Sequence, residues 1–319
     1  MALRRYIAKR ILHSIFVLWA VATVVFLGMR FIPGGPATAI LGRRARPSSI
    51  RQLREQMGLN DPLPVQYVDW LAGIVVGDFG RNFETGAPVT DIIAQAAPKT
   101  FSIAVVGLLL GLAIAIPAGI LSATRKNSYV DYFVTVVAFL GISMPAFFIG
   151  ILLAWLFGVH LGWLPVIRYV PLSEGFVPWA EHIILPGIAV GVPYAAIVMR
   201  MMRSSLLETL DEQYIETARA KGVDPQVRLF KHALQNSFIS VLTILGIQLA
   251  VILVGSVTVE IVFGIKGLGR VFVNSLQSRQ YTLTQAGILL VAAVMVTTNL
   301  VVDILYTVID PRIRYGDES

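Results

Sequence analysis

The chain has 319 residues, of which 56% are hydrophobic and 14% charged, with a formal net charge of +7. Water-soluble domains carry about 25% charged residues, so this composition excludes an ordinary soluble protein and indicates a membrane protein. Cysteine is absent, which excludes disulfides, thiolate metal sites and cysteine nucleophiles. The four histidines are too scattered for metal ligation, and none is assigned as a ligand.

Six apolar runs are each long enough to cross a bilayer, which needs roughly 20 apolar residues per helix. The runs cover residues 11–29, 101–123, 130–157, 183–202, 238–263 and 285–309. The first run follows a basic N-terminus but is long for a signal peptide and has no small-residue cleavage site before Arg30. It therefore predicts a retained anchor, and the fold predicted for the whole chain is an all-α polytopic membrane bundle of six transmembrane helices.

Lysine and arginine are distributed unequally between the loops that join the runs. With the N-terminus in the cytosol, the inner segments, counted with Arg200 at the inner end of the fourth run, carry 14 of these residues and the short outer segments carry 4. Because short basic loops stay cytoplasmic, the sequence predicts a multi-pass protein with both termini in the cytosol. The positive net charge follows from this topology and requires no nucleic acid partner.

The predicted organisation has four parts. They are an N-terminal tail with the first span (1–30), an extracytoplasmic region (31–98), a core of spans two to six (99–309) containing a cytoplasmic segment (204–237), and a cytoplasmic C-terminal tail (310–319). Within 31–98, capping and turn residues predict a small helical region on the outer side. Two roles for this region stay open: contact with a soluble partner, or a packing cover over the span ends.

The polar segment 204–237 lies between two apolar runs and is the most informative stretch of the chain. Thr209 and Glu212 have capping-box spacing, so a short helix is predicted from Leu210 to Lys221. Gly222 lies at the position where a left-handed C-terminal cap is predicted for this helix. Asp224 and Pro225 then predict a new N-cap and first helical residue leading into the fifth span.

A helix this short is marginal in water, so a packing partner must stabilise it. Packing against its own bundle is one interpretation, and docking of a cytosolic protein is the other. Small side chains next to basic ones favour docking, because they let another backbone approach closely. The residues predicted to make this contact are Glu216, Thr217, Ala218, Arg219, Ala220, Lys221 and Gly222.

Polar residues inside apolar runs are candidates for function, since an ionised group in hydrocarbon costs at least about 2.5 kcal/mol. Pro145 also interrupts the third run and frees a backbone carbonyl. The candidates for a translocation path are Ser143, Met144, Pro145, Gln248, Ser256, Glu260 and Asn299. Hydrogen bonding between helices explains the same residues, and for Asp303 a paired structural role is the favoured interpretation.

Two pairs of glycines have the small-xxx-small spacing of close helix contacts. Gly107 and Gly111 form one pair, and Gly187 and Gly191 form the other. Packing is the predicted role of both pairs.

Motifs of several enzyme classes are absent from the sequence. There is no Gly-x4-Gly-Lys-Ser/Thr loop to hold nucleotide phosphates, and no HExxH or G-x-S-x-G motif. The chain is therefore predicted not to be an enzyme.

The segment Tyr214-Ile-Glu-Thr-Ala-Arg-Ala-Lys-Gly222, followed by His232-Ala-Leu-Gln-Asn236, resembles the EAA loop of ABC importer permeases. The variant is that of dipeptide and oligopeptide permeases of the DppB/OppB type. Further matches follow in family order along nearly the whole chain, at Phe31–Pro36, Leu59–Tyr67, Gly77–Gly80, Glu260–Phe263, Gly267–Gly269 and Asp310–Arg314. Two positions depart from the pattern: Gln235 ends a motif that generally ends in proline, and Lys266 replaces a frequent proline.

The resemblance implies a type I importer permease fold and a role in ATP-driven import, with di- or oligopeptides as the expected substrate. It implies as partners a second homologous permease, two cytoplasmic ABC ATPases and an extracytoplasmic substrate-binding protein, all working at the cytoplasmic membrane in contact with lipid. It implies no cofactor in this chain, with ATP and magnesium held by the ATPases. Nickel, glutathione or haem remains an alternative substrate within the same class, and an ion-coupled secondary transporter is the alternative outside it.

Overall fold

The structure is a computed structural model that describes residues 2–30, 35–42 and 45–309. The predicted C-terminal tail (310–319), with its Asp310–Arg314 match, lies outside the described residues. So do positions 31–34 and 43–44 of the predicted outer region.

Helices account for most of the described chain, which confirms the prediction of an all-α fold. In chain order they are α1 (Ala2–Arg30), α2 (Gly35–Leu41), α3 (Pro47–Gln56), α4 (Leu63–Val75), α5 (Val89–Thr124), α6 (Tyr129–Ser143), α7 (Ala146–Leu153), α8 (Phe176–Leu210), α9 (Gln213–Ala220), α10 (Pro225–Val227), α11 (Leu234–Val262), α12 (Leu268–Gln277) and α13 (Tyr281–Ile309). Two π-helical stretches extend α7 and join α10 to α11, at Ala154–His160 and Arg228–Ala233.

Four helices in the described residues are long and apolar enough to cross a membrane, and a fifth span results if one bent pair is counted. The four lie in α1, α5, α8 and α13, and the bent pair joins α6 to α7 and its π-helical extension. The fifth predicted run falls in α11, a 29-residue helix. Several spanning helices are thus established, and the count of six remains a prediction.

The bent pair changes direction by 103° where α6 meets α7. Met144 between them is extended, with φ −92° and ψ 123°, and Pro145 caps α7. A residue before proline is forced out of the helical region by contact with the proline ring, so the bend follows from the sequence. The predicted interruption of the third run is confirmed.

The described chain forms two compact units. Of the described residues, unit 1 contains 2–5, 99–269 and 298–309, and unit 2 contains 6–30, 35–42, 45–98 and 270–297. Within unit 1, α8 is the central helix, because 67% of its most apolar stretch is buried. Pro186 and Pro193 both lie inside this helix.

The two glycine pairs meet each other where α5 crosses α8. A Cβ atom placed on Gly191 would lie 2.6 Å from the carbonyl oxygen of Gly107, and one on Gly107 would lie 3.0 Å from that of Gly187. The ring of Tyr194 fills the space over Gly111. The predicted packing role is confirmed, and only glycine permits this backbone separation.

Unit 2 is built around aromatic contacts between α1 and α4. Phe26 is 3% exposed, and its ring centroid lies 5.2 Å from that of Tyr67 and 5.4 Å from that of Trp70. The loop after α4 is held to the start of α13, since the Asn82 side-chain amide donates to Gln280 Oε1 at 2.6 Å. These contacts fix the ends of three helices in this unit.

We expect Gly191→Ala to lower the thermal stability of the chain in detergent, at a cost of about 1–3 kcal/mol, because the added methyl group overlaps the Gly107 carbonyl. The control is Gly28→Ala, since a Cβ at Gly28 meets nothing within 4 Å. Thermal unfolding of the two variants should separate them. Equal melting temperatures would show that the crossing is not tightly packed.

Candidate functional site

The polar segment contains a short exposed helix, α9, but this helix begins later than predicted. It starts at Gln213 with Glu212 as N-cap, whereas Thr209 lies in the last turn of α8. The Thr209 hydroxyl donates to the Ser205 carbonyl at 2.8 Å and accepts a hydrogen bond from Ser237 Oγ at 3.0 Å. The predicted start at Leu210 is wrong because that hydroxyl stabilises α8 and does not cap α9.

The C-terminal end of α9 agrees with the prediction. Gly222 has φ +73°, its N–H donates to the Arg219 carbonyl at 3.0 Å, and the N–H of Val223 donates to the Ala218 carbonyl at 3.1 Å. These two bonds form a Schellman motif, which requires a left-handed residue at this position. Asp224 then caps the next helix, accepting from the N–H of Gln226 at 2.8 Å, as predicted.

Two side chains attach α9 to the rest of unit 1. Ile215 is 5% exposed and belongs to the hydrophobic core of the unit. The Tyr214 hydroxyl accepts a hydrogen bond from Asn236 Nδ2 at 2.8 Å. These contacts supply the packing that an eight-residue helix cannot provide for itself.

The residues predicted to contact a partner lie on the outside of this attached helix. Six of them are exposed and Ala218 is half-buried; the exposed six are Glu216, Thr217, Arg219, Ala220, Lys221 and Gly222. A Cβ atom on Gly222 would meet nothing within 4 Å. The segment therefore presents a small, basic-edged surface on a fixed helix.

At the base of the segment, α8 and α11 are joined by buried serines. Ser205 Oγ donates to the Ser237 carbonyl at 3.1 Å, and the two side chains are 6% and 0% exposed. The base of the segment is therefore tied to both flanking helices.

An ion pair that the sequence analysis missed joins α8 to α6. Arg203 donates from Nε and Nη2 to the two Asp131 oxygens at 2.8 and 2.9 Å, and Asp131 is 3% exposed. Ser122 Oγ and the N–H of Asn127 also donate to this carboxylate. A bidentate pair of this kind fixes both distance and orientation. The sequence feature that could have revealed this pair is Asp131 itself, an acidic residue inside the predicted third apolar run.

The predicted path residues are distributed over three elements. Ser143 and Pro145 are exposed, and Met144 half-buried, at the bend between α6 and α7. Gln248 is half-buried on α11, with Ser256 and Glu260 fully buried one turn apart further along it. Asn299 is exposed on α13.

Glu260 has a hydrogen-bonding role in unit 1. Thr100 Oγ1 donates to Glu260 Oε1 at 2.6 Å and accepts from the N–H of Leu268 at 2.7 Å. The network joins the start of α12 and the end of α11 to α5. Lys266, which departs from the resemblance, is exposed in the intervening turn.

Several apolar helices long enough to span a bilayer, joined by an exposed polar segment, define a polytopic membrane protein. Comparison with protein families identifies the class more closely. Residues 115–315 match the model of the binding-protein-dependent transport system inner membrane component, and residues 3–104 match the model of its N-terminal region. The chain belongs to this family of transport-system membrane components.

Individual relatives agree with this assignment. The chain is 39% identical over 310 residues to the probable peptide ABC transporter permease protein y4tP of Sinorhizobium fredii, covering 97% of this chain and 99% of the relative. It is 38% identical over 330 residues to the dipeptide transport system permease protein DppB of Alkalihalophilus pseudofirmus, with the same coverage.

A solved structure supports the fold. A chain of the inward-facing MetNI methionine ABC transporter superposes with a TM-score of 0.52 at 18% identity, covering 66% of this chain and 95% of that one. At this identity the comparison establishes the fold alone.

We expect Arg203→Met to destabilise the chain by about 1.5–3 kcal/mol, because it leaves the buried Asp131 carboxylate without its cation. Arg125→Met is the matched control, since Arg125 is exposed in the turn before α6. Thermal unfolding in detergent measures both variants. A melting temperature for Arg203→Met equal to that of the control would contradict a structural role for the pair.

Proposed function

We propose that the chain is the transmembrane permease subunit of an ATP-driven importer of di- and oligopeptides and forms half of its translocation pathway. Family membership supports a transport role, and relatives with 38–39% identity along nearly their whole length are named as peptide and dipeptide permeases. The fold shared with a methionine importer chain is consistent with this role.

The proposed complex contains four further chains. They are a second homologous permease, two cytoplasmic ABC ATPases that hold ATP and magnesium, and an extracytoplasmic substrate-binding protein. The family description, a binding-protein-dependent inner membrane component, supports the last of these. This chain itself performs no catalysis in the proposal and needs no cofactor.

The exposed surface of α9 is the single observation that supports coupling to an ATPase. Residues 216–222 present small side chains together with the basic Arg219 and Lys221 and the acidic Glu216. Ile215 and Tyr214 hold the helix on its other side. In the proposed mechanism, nucleotide-driven closure of the ATPases moves α9 as a rigid body. A helix tied to its bundle transmits this motion, and a loose helix would absorb it.

The motion passes from α9 into the spans through the contacts at its base. Ser205 and Ser237 carry it into α8 and α11, and the Arg203–Asp131 pair carries it into α6. The bend at Ser143–Pro145, with Gln248, Ser256, Asn299 and Glu260, is proposed to line or control the path. The buried position of Glu260 favours a role in shaping the path over direct substrate contact.

The proposed topology has six spans with both termini in the cytosol. The 29-residue length of α11 supports counting this helix as the fifth span in chain order, since at 1.5 Å per residue it exceeds a hydrocarbon core of about 30 Å. The excess of Lys and Arg in segments placed inside supports the orientation. The helical region within 31–98 is then extracytoplasmic, and 204–237 faces the ATPases.

We expect Gly222→Trp to abolish ATP-dependent peptide uptake and peptide-stimulated ATPase activity while the complex stays in the membrane. Two physical effects act together. Tryptophan places a bulky side chain on the proposed docking surface, and the left-handed backbone conformation at this position costs non-glycine residues about 1–2 kcal/mol. The measurement is uptake of a labelled dipeptide into vesicles containing the complete complex.

Gly222→Asn is the control, because asparagine tolerates the left-handed conformation and adds little bulk. It should retain most of the uptake. Normal uptake by Gly222→Trp would contradict the proposed docking surface. Uptake by the unmodified complex that follows an ion gradient and needs no ATP would favour a secondary transporter.

A further inference from the structure

Helix α4 has an apolar face that stays exposed among the described residues. Val65, Val68, Ala72 and Val75 form this valine face, because residues three or four apart lie on one side of a helix. Val65 is 45% exposed, Val68 is 61% exposed and Val75 is 80% exposed. A helix on the surface of a water-soluble domain carries polar side chains on its outward face. The valine face therefore needs an apolar covering.

The opposite side of α4 shows at what depth the helix lies. The rings of Tyr67 and Trp70 pack on Phe26 of α1, and the Tyr67 hydroxyl lies 2.7 Å from Thr23 Oγ1. Thr23 and Phe26 belong to the first apolar run, 11–29, seven and four residues before the end of α1. At 1.5 Å per residue, this contact lies about 6–10 Å inside the end of that spanning helix. The middle of α4 is thus beside the spanning part of α1 and not beyond it.

The side chains of α1 at the same level are exposed and apolar. Val24 adjoins Thr23 and is 69% exposed, and Leu27 adjoins Phe26 and is 44% exposed. Such side chains on a spanning helix lie in the hydrocarbon of the bilayer. Because α4 packs against α1 at this level, the valine face lies at the depth of the acyl chains too.

The charge of α4 is on another side of the helix. Asp69 is its single charged residue, and with Gln66 and Gly73 it lines a cavity of about 660 Å³ in unit 2. Further charged side chains line the same cavity, among them Asp78 and Arg81. This polar space keeps the Asp69 carboxylate out of hydrocarbon, where a charge is strongly unfavourable. The valine face itself carries no charge and is compatible with lipid.

The length of α4 limits it to one leaflet. Its 13 residues cover about 20 Å, which is less than a hydrocarbon core of about 30 Å. A short helix of this kind binds a bilayer by burying its apolar face below the headgroups.

We propose that the valine face of α4 contacts the acyl chains of the outer leaflet, which makes α4 a membrane-embedded helix within the region 31–98. The assignment to the outer leaflet rests on the proposed topology, whereas the contact with lipid does not depend on it. Helices α1 and α4 then hold this region at the bilayer, and the polar helix α3 stays in water. A water-soluble binding protein would have to reach into hydrocarbon to contact the valine face, so lipid is the partner that fits.

The test places single nitroxide labels on the full-length chain, together with the subunits that copurify, in lipid nanodiscs. Because the chain has no cysteine, each label needs one introduced thiol, and the signal of the other subunits is subtracted with the unmodified chain. Val68→Cys and Ala72→Cys report on the valine face, and Val24→Cys on α1 is the reference for lipid contact. The matched controls are Gln52→Cys, at an exposed position of α3, and Asp69→Cys, on the cavity side of α4.

Electron paramagnetic resonance measures how readily each label meets oxygen, which concentrates in acyl chains, and a nickel chelate, which stays in water. Relative to Gln52, the labels at Val68 and Ala72 should lose access to nickel and gain access to oxygen, to the same extent as the label at Val24. The label at Asp69 should keep more access to nickel than its two neighbours on the valine face. A misfolded helix would not show this alternation around its axis.

Two results would overturn this inference. Nickel access at the valine face equal to that at Gln52 would place the face in water, open to a soluble partner. Low access to both reagents would show that protein covers it. If a label at Val68 or Ala72 prevents assembly, Val65→Cys and Val75→Cys supply the same measurement on the same face.

ATP-dependent peptide uptake by the complete complex is measured in parallel. Lipid contact at the valine face in a complex without uptake would support this inference and contradict the proposed function. Uptake by a complex whose valine face meets nickel would do the reverse.

Discussion

The attachment of α9 to unit 1 is the interaction on which the functional interpretation depends. An eight-residue helix is too short to be stable in water by itself, so its few contacts with the unit decide whether it has a fixed shape. Ile215 in the core, the Tyr214–Asn236 hydrogen bond and the Schellman cap at Gly222 together provide that shape. Because these contacts use one side of the helix, the opposite side is exposed on a rigid support.

The contacts at the base of α9 determine which helices of unit 1 are joined to it. Helix α8 continues from the segment into the centre of unit 1, where its glycines touch the backbone of α5. In the proposed mechanism this close packing lets α8 transmit a displacement of α9 into the unit. The Arg203–Asp131 pair joins α6 to α8 through two charge-assisted hydrogen bonds. The proposed mechanism assigns one mechanical role to the short polar contacts near the segment and to the close backbone packing further away.

Local chemistry explains which features could be predicted from the sequence. Gly222, Asp224 and Pro145 act through local conformational preferences and hydrogen bonds to nearby backbone. The C-terminal cap of α9, the start of the next helix and the bend between α6 and α7 could therefore be predicted directly from the sequence. The start of α9 was misplaced because Thr209 has a partner in Ser237, 28 residues away. The Arg203–Asp131 pair joins residues 72 positions apart. Such contacts depend on how helices pack, and a single sequence carries no direct signal of that packing.

The absence of cysteine from the sequence allows the central claim to be tested with one introduced thiol. Ala220→Cys places it on the exposed surface of α9, and its reaction with a membrane-impermeant maleimide is compared in intact cells and in inside-out vesicles, with cross-linking to copurifying subunits measured in the same preparations. The account predicts labelling only in inside-out vesicles and a cross-link to an ATPase subunit that depends on nucleotide. Labelling in intact cells, or a thiol that cross-links to no ATPase in a complex active in uptake, would contradict it.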